Sequence, residues 1–143
     1  MLQLPENLLR DIEAHGASTY PHEGCGLLLG QASEGLNVVE ALLPVPNKWP
    51  NEEEKPVRFL IEPGDMIEAE LTAAAAGQDV LGIFHSHPDH DPIASPRDLA
   101  WATWPGYSYL ITTVRRGIPA ESRSWQLLAD RSGFTEEAVE IHN

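Results

Sequence analysis

A short apolar segment that runs directly into two histidines constrains the fold of this chain more than any other feature. Residues Asp79–Phe84 are almost wholly apolar and lead into His85-Ser86-His87-Pro88, a pattern typical of a buried β-strand. Side chains two apart on a strand share a face, with Cα atoms about 6.6 Å apart. His85 and His87 can therefore direct a ring nitrogen at one metal ion, and we expect Ser86 on the opposite face.

The residues after the histidines predict a return of the chain towards them. Pro88 cannot donate to a strand ladder, and the Asp91-Pro92 dipeptide favours a turn. The return would bring Asp98 towards both imidazoles. Two histidines and a carboxylate with a fourth position open are typical of a catalytic zinc site, whereas a structural site more often has four protein ligands.

The segment Ser95-Pro96-Arg97-Asp98 is also a helix-start signature, with a serine N-cap, an early proline and an acid three residues on. Taken alone, it indicates a cap, and capping and catalysis are compatible for Ser95. The joint pattern His-X-His-X7-Ser-X-X-Asp is more specific, since chance would supply it on the order of once per thousand such sequences.

A second motif lies upstream, at Glu23-Gly24-Cys25-Gly26-Leu27-Leu28-Leu29-Gly30. With the His85–Asp98 pattern, it resembles the JAMM (MPN-plus) metalloprotease family. Residues Arg58–Pro63 also look like the family segment at that point, and the order of predicted elements agrees over most of the chain.

The resemblance implies a role for each motif position. His85, His87 and Asp98 would bind one Zn²⁺ ion per chain, Glu23 would act as general base and then acid, and Ser95 would hydrogen-bond the oxyanion. From the residues alone, Glu23 is one of fifteen glutamates, and nothing in the spacing brings it to the histidines.

Composition bounds the class of protein. A chain of 143 residues with 42% hydrophobic residues predicts one domain spanning 1–143. The single cysteine, Cys25, is expected to be buried and suits a reducing compartment. No stretch among the first thirty residues has the length of a signal or a membrane span, so we expect a cytoplasmic protein. A net charge of −13 with only two lysines argues against nucleic acid as a partner.

Periodicity predicts an α/β (α+β) domain with a mixed central β-sheet flanked by helices, which the resemblance identifies as an MPN/JAMM (cytidine-deaminase-like) fold. The second helix would pack on the sheet through Ile67, Leu71 and Ala74. The predicted helices are 5–15, with an end near Gly16 or Tyr20, 65–76 and 96–103; the predicted strands are 24–31, 37–43, 57–61, 79–84, 107–114, 122–129 and 134–141.

Aromatic residues are the remaining candidates for substrate contact. Trp101 and Trp104 could line a groove, although their spacing favours core packing. Trp49, in a proline-rich loop, is either a substrate contact or a local anchor of that loop.

The resemblance to small stand-alone bacterial members implies hydrolysis of an amide bond at the C-terminal tail of a ubiquitin-like or sulfur-carrier protein, with release of cysteine as the leading version. A general deconjugating isopeptidase is the nearest alternative. A non-catalytic scaffold of the same fold is less favoured, because every ligand position is filled. A nucleoside deaminase would need His-X-Glu and Pro-Cys-X-X-Cys, and neither occurs. The sequence gives no oligomeric state.

Overall fold

The computed structural model describes residues 1–96, 98 and 106–143. Two helices occur in this part of the chain, α1 over Glu6–Thr19 and α2 over Pro63–Ala75. The strands among these residues are β1 Leu2–Pro5, β2 Cys25–Ser33, β3 Leu36–Val45, β4 Asp79–Pro88, β5 Ser108–Arg115, β6 Ile118–Leu127, β7 Phe134–Glu137 and β8 Val139–His142.

All eight of these strands form one mixed sheet in the order β7-β6-β5-β4-β2-β3-β1-β8. The pairs β4/β5, β1/β3 and β1/β8 are parallel, and the others are antiparallel. The predicted α+β class with a mixed sheet and flanking helices is confirmed.

The sheet is rolled, because β7 and β8 lie at its opposite edges and only Ala138 separates them along the chain. The Leu2 N–H donates to the Ala138 carbonyl at 2.9 Å. Inside the roll, Asn37 Nδ2 of β3 donates to Ser108 Oγ of β5 at 2.9 Å, across two intervening strands. Gly82 permits the tight curvature: a Cβ there would lie 1.8 Å from the Ser108 carbonyl oxygen, so any side chain would force β4 and β5 apart.

Alternation along the central strands divides the core between two faces. On β2, Cys25, Leu27 and Leu29 face a cluster that includes Ala69 and Ala73 of α2. Leu28 joins the cluster on the other face, which contains Ile12 of α1. On β4, Ile83 belongs to the α2 side and Phe84 to the α1 side. The same alternation directs His85 and His87 to the α2 side and Ser86 towards α1.

The predicted strand 57–61 is wrong, since these residues have no strand conformation. Two of its backbone groups bond to a side chain instead of a ladder, and the Leu60 carbonyl accepts from the Lys48 N–H at 3.2 Å. Asn47 Nδ2 donates to the Arg58 carbonyl at 2.9 Å, and Asn47 Oδ1 accepts from the Leu60 N–H at 3.3 Å. The apolar side chains Phe59 and Ile61 nevertheless pack against the core, which accounts for the strand-like pattern.

The predicted inner face of α2 is also wrong. Ile67 and Leu71 are 58% and 67% exposed, whereas Ala69 and Ala73 pack against strand residues of the core and Asp65 is buried. Small alanine side chains let the helix lie close to the sheet. Asp65 is turned inwards because its carboxylate accepts from Lys48 Nζ at 2.9 Å and from the Glu62 N–H at 3.2 Å.

The predicted strand 134–141 is two strands, β7 and β8, which pair at opposite edges of the sheet. The strand β1 could not be predicted, because an apolar alternation of only two residues, Leu2 and Leu4, is too short to indicate a strand. The third predicted helix falls largely outside the described residues, as do Trp101 and Trp104. No helix in the described part of the chain has the length and apolarity needed to cross a membrane.

Candidate metal centre and active site

The register between β2 and β4 brings Glu23 to the histidines. Cys25 pairs with His85 in this antiparallel ladder, so Glu23, two residues earlier, comes level with His87, two residues later. One carboxylate oxygen of Glu23 and one ring nitrogen of each histidine all lie within 4.8 Å of one another. All three side chains are buried. The pairing of two distant strands thus supplies the proximity that spacing alone did not show.

Asp98 completes a tight set of donor atoms with the two histidines. The Nε2 atoms of His85 and His87 are 3.1 Å apart. Asp98 Oδ1 is 3.2 Å from His85 Nε2, and Asp98 Oδ2 is 3.2 Å from His87 Nε2. A tetrahedral zinc with Zn–N bonds of 2.0–2.1 Å separates its ligand atoms by about 3.3 Å. The donor set therefore fits one such ion, and the predicted shared face of the two histidines is confirmed.

The tautomer of His87 is fixed by the chain that follows it. His87 Nδ1 lies 2.8 Å from the Asp91 carbonyl oxygen. Because a carbonyl only accepts, Nδ1 carries the hydrogen, which leaves Nε2 as the ring nitrogen that would bind a metal. Metal-ligating histidines are commonly oriented in this way.

His85 lies in a less polar environment. Its ring stacks on Phe59, with centroids 4.5 Å apart and an interplanar angle of 28°. Burial lowers the pKa of His85, although the Asp98 carboxylate acts in the opposite direction. The ring is thereby kept neutral, and a neutral imidazole is the form that binds a metal.

Asp98 and Ser95 form a reciprocal cap at the start of the segment that follows. The Ser95 N–H donates to Asp98 Oδ2 at 2.8 Å, and Ser95 Oγ accepts from the Asp98 N–H at 3.1 Å. The predicted capping role of Ser95 is confirmed. Burial would raise the pKa of Asp98, but the two adjacent imidazoles outweigh burial and hold this pKa well below its usual range. The carboxylate is therefore ionised at neutral pH.

His87 lines a cleft of ≈ 210 Å³. Polar and apolar side chains share its walls: Glu23, Val57, His87, His90, Asp91, Ile93 and Ser95. The three residues Glu23, His87 and Ser95 thus border one cleft, as groups must if they are to reach one substrate.

Two loops border this cleft. The 89–96 loop follows β4 and is anchored to β5 and β6. Thr113 Oγ1 donates to the His90 carbonyl at 2.8 Å, and Trp125 Nε1 donates to the Pro92 carbonyl at 3.0 Å. The 46–62 loop joins β3 to α2 and contains Asn47, Phe59 and Trp49. Sequence analysis did not single out Asn47, Phe59 or Thr113, because no motif marks their contacts.

Trp49 is tied into the 46–62 loop. Its Nε1 donates to Glu54 Oε1 at 2.8 Å, and the Arg58 guanidinium lies 4.9 Å from its ring centroid. These contacts favour the loop-anchor interpretation, and substrate contact by Trp49 stays a prediction. Cys25 is fully buried, as expected, and burial raises the pKa of its thiol to about 12.

A family model for prokaryotic homologues of the JAB domain matches residues 5–128. The chain belongs to this family. Its overall resemblance to JAMM proteins is thereby confirmed, while the role of each site residue is still a prediction.

Three named proteins are similar to this chain in sequence. The chain is 34% identical over 106 residues to Desampylase of Haloferax volcanii, covering 74% of this chain and 73% of that protein. It is 33% identical over 104 residues to a "Probable TtuB-protein conjugate cleaving protease" of Thermus thermophilus, covering 73% of this chain and 65% of that protein. It is 26% identical over 141 residues to the CysO-cysteine peptidase of Mycobacterium tuberculosis, covering 99% of this chain and 91% of that protein. All three names describe proteins that cleave.

Solved structures confirm the fold. The solution structure of protein DSY2949 from Desulfitobacterium hafniense matches with a TM-score of 0.85 at 29% identity, covering 99% of this chain and 93% of that one. A structure titled "JAMM: A Metalloprotease-like Zinc Site in the Proteasome and Signalosome" matches with a TM-score of 0.59 at 19% identity, covering 100% and 99%. The JAB family fold therefore extends over essentially the whole chain.

Proposed function

We propose that this protein is a zinc-dependent peptidase that hydrolyses an amide bond at the C-terminal tail of a ubiquitin-like or sulfur-carrier protein, with release of a terminal cysteine as the leading version. One observation carries the proposal. The Nε2 atoms of His85 and His87 lie 3.1 Å apart, each is 3.2 Å from one oxygen of the Asp98 carboxylate, and a carboxylate oxygen of the buried Glu23 lies within 4.8 Å of a ring nitrogen of both histidines.

His85, His87 and Asp98 would hold the zinc ion. Two neutral nitrogens and an ionised carboxylate suit a borderline-soft divalent cation. When bound, Zn²⁺ supplies a Lewis acid that polarises a carbonyl and lowers the pKa of water to about 7.

Glu23 would move the proton. Glu23 is 4% exposed, and one of its carboxylate oxygens lies within 4.8 Å of a ring nitrogen of both histidines. In this role Glu23 accepts a proton from the attacking water and later delivers it to the leaving amine. A residue that is kept out of bulk solvent can perform both transfers without losing the proton to it.

Ser95 would stabilise the oxyanion that forms at the attacked carbonyl. Its Oγ accepts from the Asp98 N–H, and its hydroxyl would donate into the cleft that Ser95 lines. A donor of this kind typically contributes about 2.7–4 kcal/mol to lowering the barrier.

The shape of the cleft and the names of the relatives support the substrate class. A volume of ≈ 210 Å³ admits a narrow, extended chain with small side chains, such as a tail that ends in Gly-Gly, rather than a folded segment. One relative is named for cleavage between CysO and cysteine, and another for cleavage of protein conjugates. The second name supports the alternative, a general deconjugating isopeptidase.

The test offers both substrate types to the zinc-loaded protein. Carrier proteins that end in Gly-Gly-Cys and isopeptide-linked conjugates of the same carriers are incubated separately, and products are followed by intact mass. We expect loss of cysteine from the first type. Preferential cleavage of the second type would select the isopeptidase alternative.

Glu23→Gln is the matched control, since it removes the basic oxygen while keeping the side-chain shape. It should retain zinc and lose turnover by roughly a hundred- to ten-thousandfold. Absence of cleavage by the zinc-loaded wild type on every substrate would overturn the proposal, and full activity of Glu23→Gln would remove Glu23 from it.

A further inference from the structure

We infer that Asn47 is a positioning residue. It holds the backbone of Glu23, the proposed general base, and the backbone on both sides of Phe59, which stacks on the proposed metal ligand His85. This inference rests on the proposed function for its catalytic meaning. Asn47 touches none of His85, His87 and Asp98 in the contacts of the described residues, so it would act through the groups that it ties together.

The first tie is to Glu23. Asn47 Nδ2 donates to the Glu23 carbonyl at 3.0 Å. The Glu23 N–H donates to the Lys55 carbonyl at 2.8 Å. Both backbone groups of the proposed base are therefore bonded to the 46–62 loop. A change in that loop would displace the Glu23 backbone and, with it, the carboxylate.

The second tie is to Phe59, which stacks on His85. Asn47 bonds to the peptide groups on both sides of it: Nδ2 donates to the Arg58 carbonyl at 2.9 Å, and Oδ1 accepts from the Leu60 N–H at 3.3 Å. In a β-sheet, a carbonyl and an N–H in these positions would bond to a neighbouring strand. Here the Arg58 carbonyl and the Leu60 N–H both bond to the Asn47 side chain.

Both donors and both acceptor lone pairs of the Asn47 amide form hydrogen bonds. Its two N–H hydrogens donate to the Glu23 and Arg58 carbonyls, and its oxygen accepts from the Trp49 N–H at 3.1 Å as well as from Leu60. An asparagine side chain has two donors and two acceptor lone pairs. No other side chain of this size offers both, so substitution breaks at least two bonds at once.

A matched control lies four residues away in the same loop. Asn51 Oδ1 accepts from the Glu53 N–H at 3.0 Å and caps the short 3₁₀ turn at Glu52–Glu54. Asn51 is exposed. Substitution of Asn51 repeats the chemical change without touching Glu23 or Phe59.

The first measurement is amide hydrogen exchange, which does not depend on activity. In Asn47→Ala, we expect faster exchange at Leu60, whose N–H loses its acceptor, and at Glu23, whose carbonyl loses a donor. In Asn51→Ala, faster exchange should be confined to the region of Glu53. Unchanged exchange at Glu23 in Asn47→Ala would overturn the tie, even if the wild type cleaves no conjugate.

The second measurement separates kcat, KM and bound zinc. Asn47→Asp keeps the two acceptor bonds and loses both donors, so it serves as the second variant if Asn47→Ala does not fold. We expect kcat to fall by roughly ten- to a hundredfold, since a displacement of about 1 Å can cost a hundredfold. KM should change much less, and zinc per chain should stay at the wild-type value.

Asn51→Asp should match the wild type in all three quantities. A kcat of both Asn47 variants equal to that of Asn51→Asp, in a wild type that cleaves conjugates, would overturn the positioning role and leave the proposed function standing. Loss of zinc from both Asn47 variants would overturn the role at Glu23, because the effect on kcat would then act through Phe59 and the ligand His85.

Discussion

The two loops that border the cleft hold the site in different ways. The 89–96 loop leads into residues of the proposed metal centre: Asp91 fixes the ring of His87 through its carbonyl, and Ser95 caps against Asp98. The 46–62 loop holds a residue of another element, through Asn47 and the Glu23 carbonyl. These contacts of the first loop with the site join residues three or four positions apart, whereas the contact of the second loop with Glu23 joins residues 24 positions apart. A motif can therefore reveal the first arrangement but not the second.

The largest expected effect comes from the metal centre that the 89–96 loop completes. His85→Ala removes one of three ligands, and two ligands are too few for stable zinc binding. We expect zinc per chain to fall to near zero and cleavage to become undetectable. Elemental analysis of purified, unchelated protein provides the measurement.

His90→Ala is the control for metal content. His90 is exposed in the same loop, and its contact with Thr113 uses its backbone carbonyl. This variant should keep its zinc. Wild-type metal content in His85→Ala would remove His85 from the ligand set.

A smaller effect is expected at the cap. Ser95→Ala removes the proposed oxyanion donor and should lower kcat by about a hundred- to a thousandfold with zinc retained. Because Ser95 Oγ also accepts from the Asp98 N–H, the free energy of unfolding should fall by roughly 1 kcal/mol. Steady-state kinetics and thermal unfolding measure the two effects.

Ser95→Thr separates catalysis from capping. It retains a hydroxyl that can both cap and donate, so it should recover much of the turnover. If Ser95→Ala lost stability but kept its full kcat, Ser95 would be only a cap.

The smallest effect should come from the anchor beneath the 89–96 loop. Thr113 Oγ1 donates to the His90 carbonyl at 2.8 Å, and Thr113→Val removes that bond in a side chain of nearly the same shape. We expect a loss of about 1 kcal/mol in the free energy of unfolding and a fall of only a few-fold in kcat. Chemical denaturation and initial-rate measurements would show both.

Thr112→Val is the matched control on the same strand. Thr112 is also buried and shares a hydrogen bond of 2.7 Å with Ser122 Oγ, away from the cleft. It should lose similar stability and keep its kcat. An equal loss of kcat in the two variants would contradict a specific role for the Thr113 anchor.

Whether a contact of this protein could be predicted from the sequence depends on how far apart its residues lie along the chain. The predicted strands 24–31 and 37–43 are confirmed as β2 and β3, since their apolar patterns are local. The Ser95–Asp98 cap is confirmed for the same reason. Glu23 could not be brought to the histidines from spacing, because its position depends on the pairing of Cys25 with His85 across the sheet.

The wrong predictions also have physical causes. The segment 57–61 has the apolar pattern of a strand, but Asn47 satisfies its backbone. In α2, larger apolar side chains suggested one face, whereas Ala69 and Ala73 permit closer packing on the opposite one. The break between β7 and β8 at Ala138 could not be predicted from the local sequence. The two strands have similar residue patterns and differ in the strands with which they pair.

The pairing of β1 with β8 has a consequence for the order of events during folding. Leu2 pairs with Val139 in β8, so the two strands are distant from each other along the sequence. One side of β1 therefore stays unpaired until these two distant segments come together. Such closure between distant segments is slow and exposes a strand in the meantime, so partly folded chains should aggregate more readily than the folded protein does.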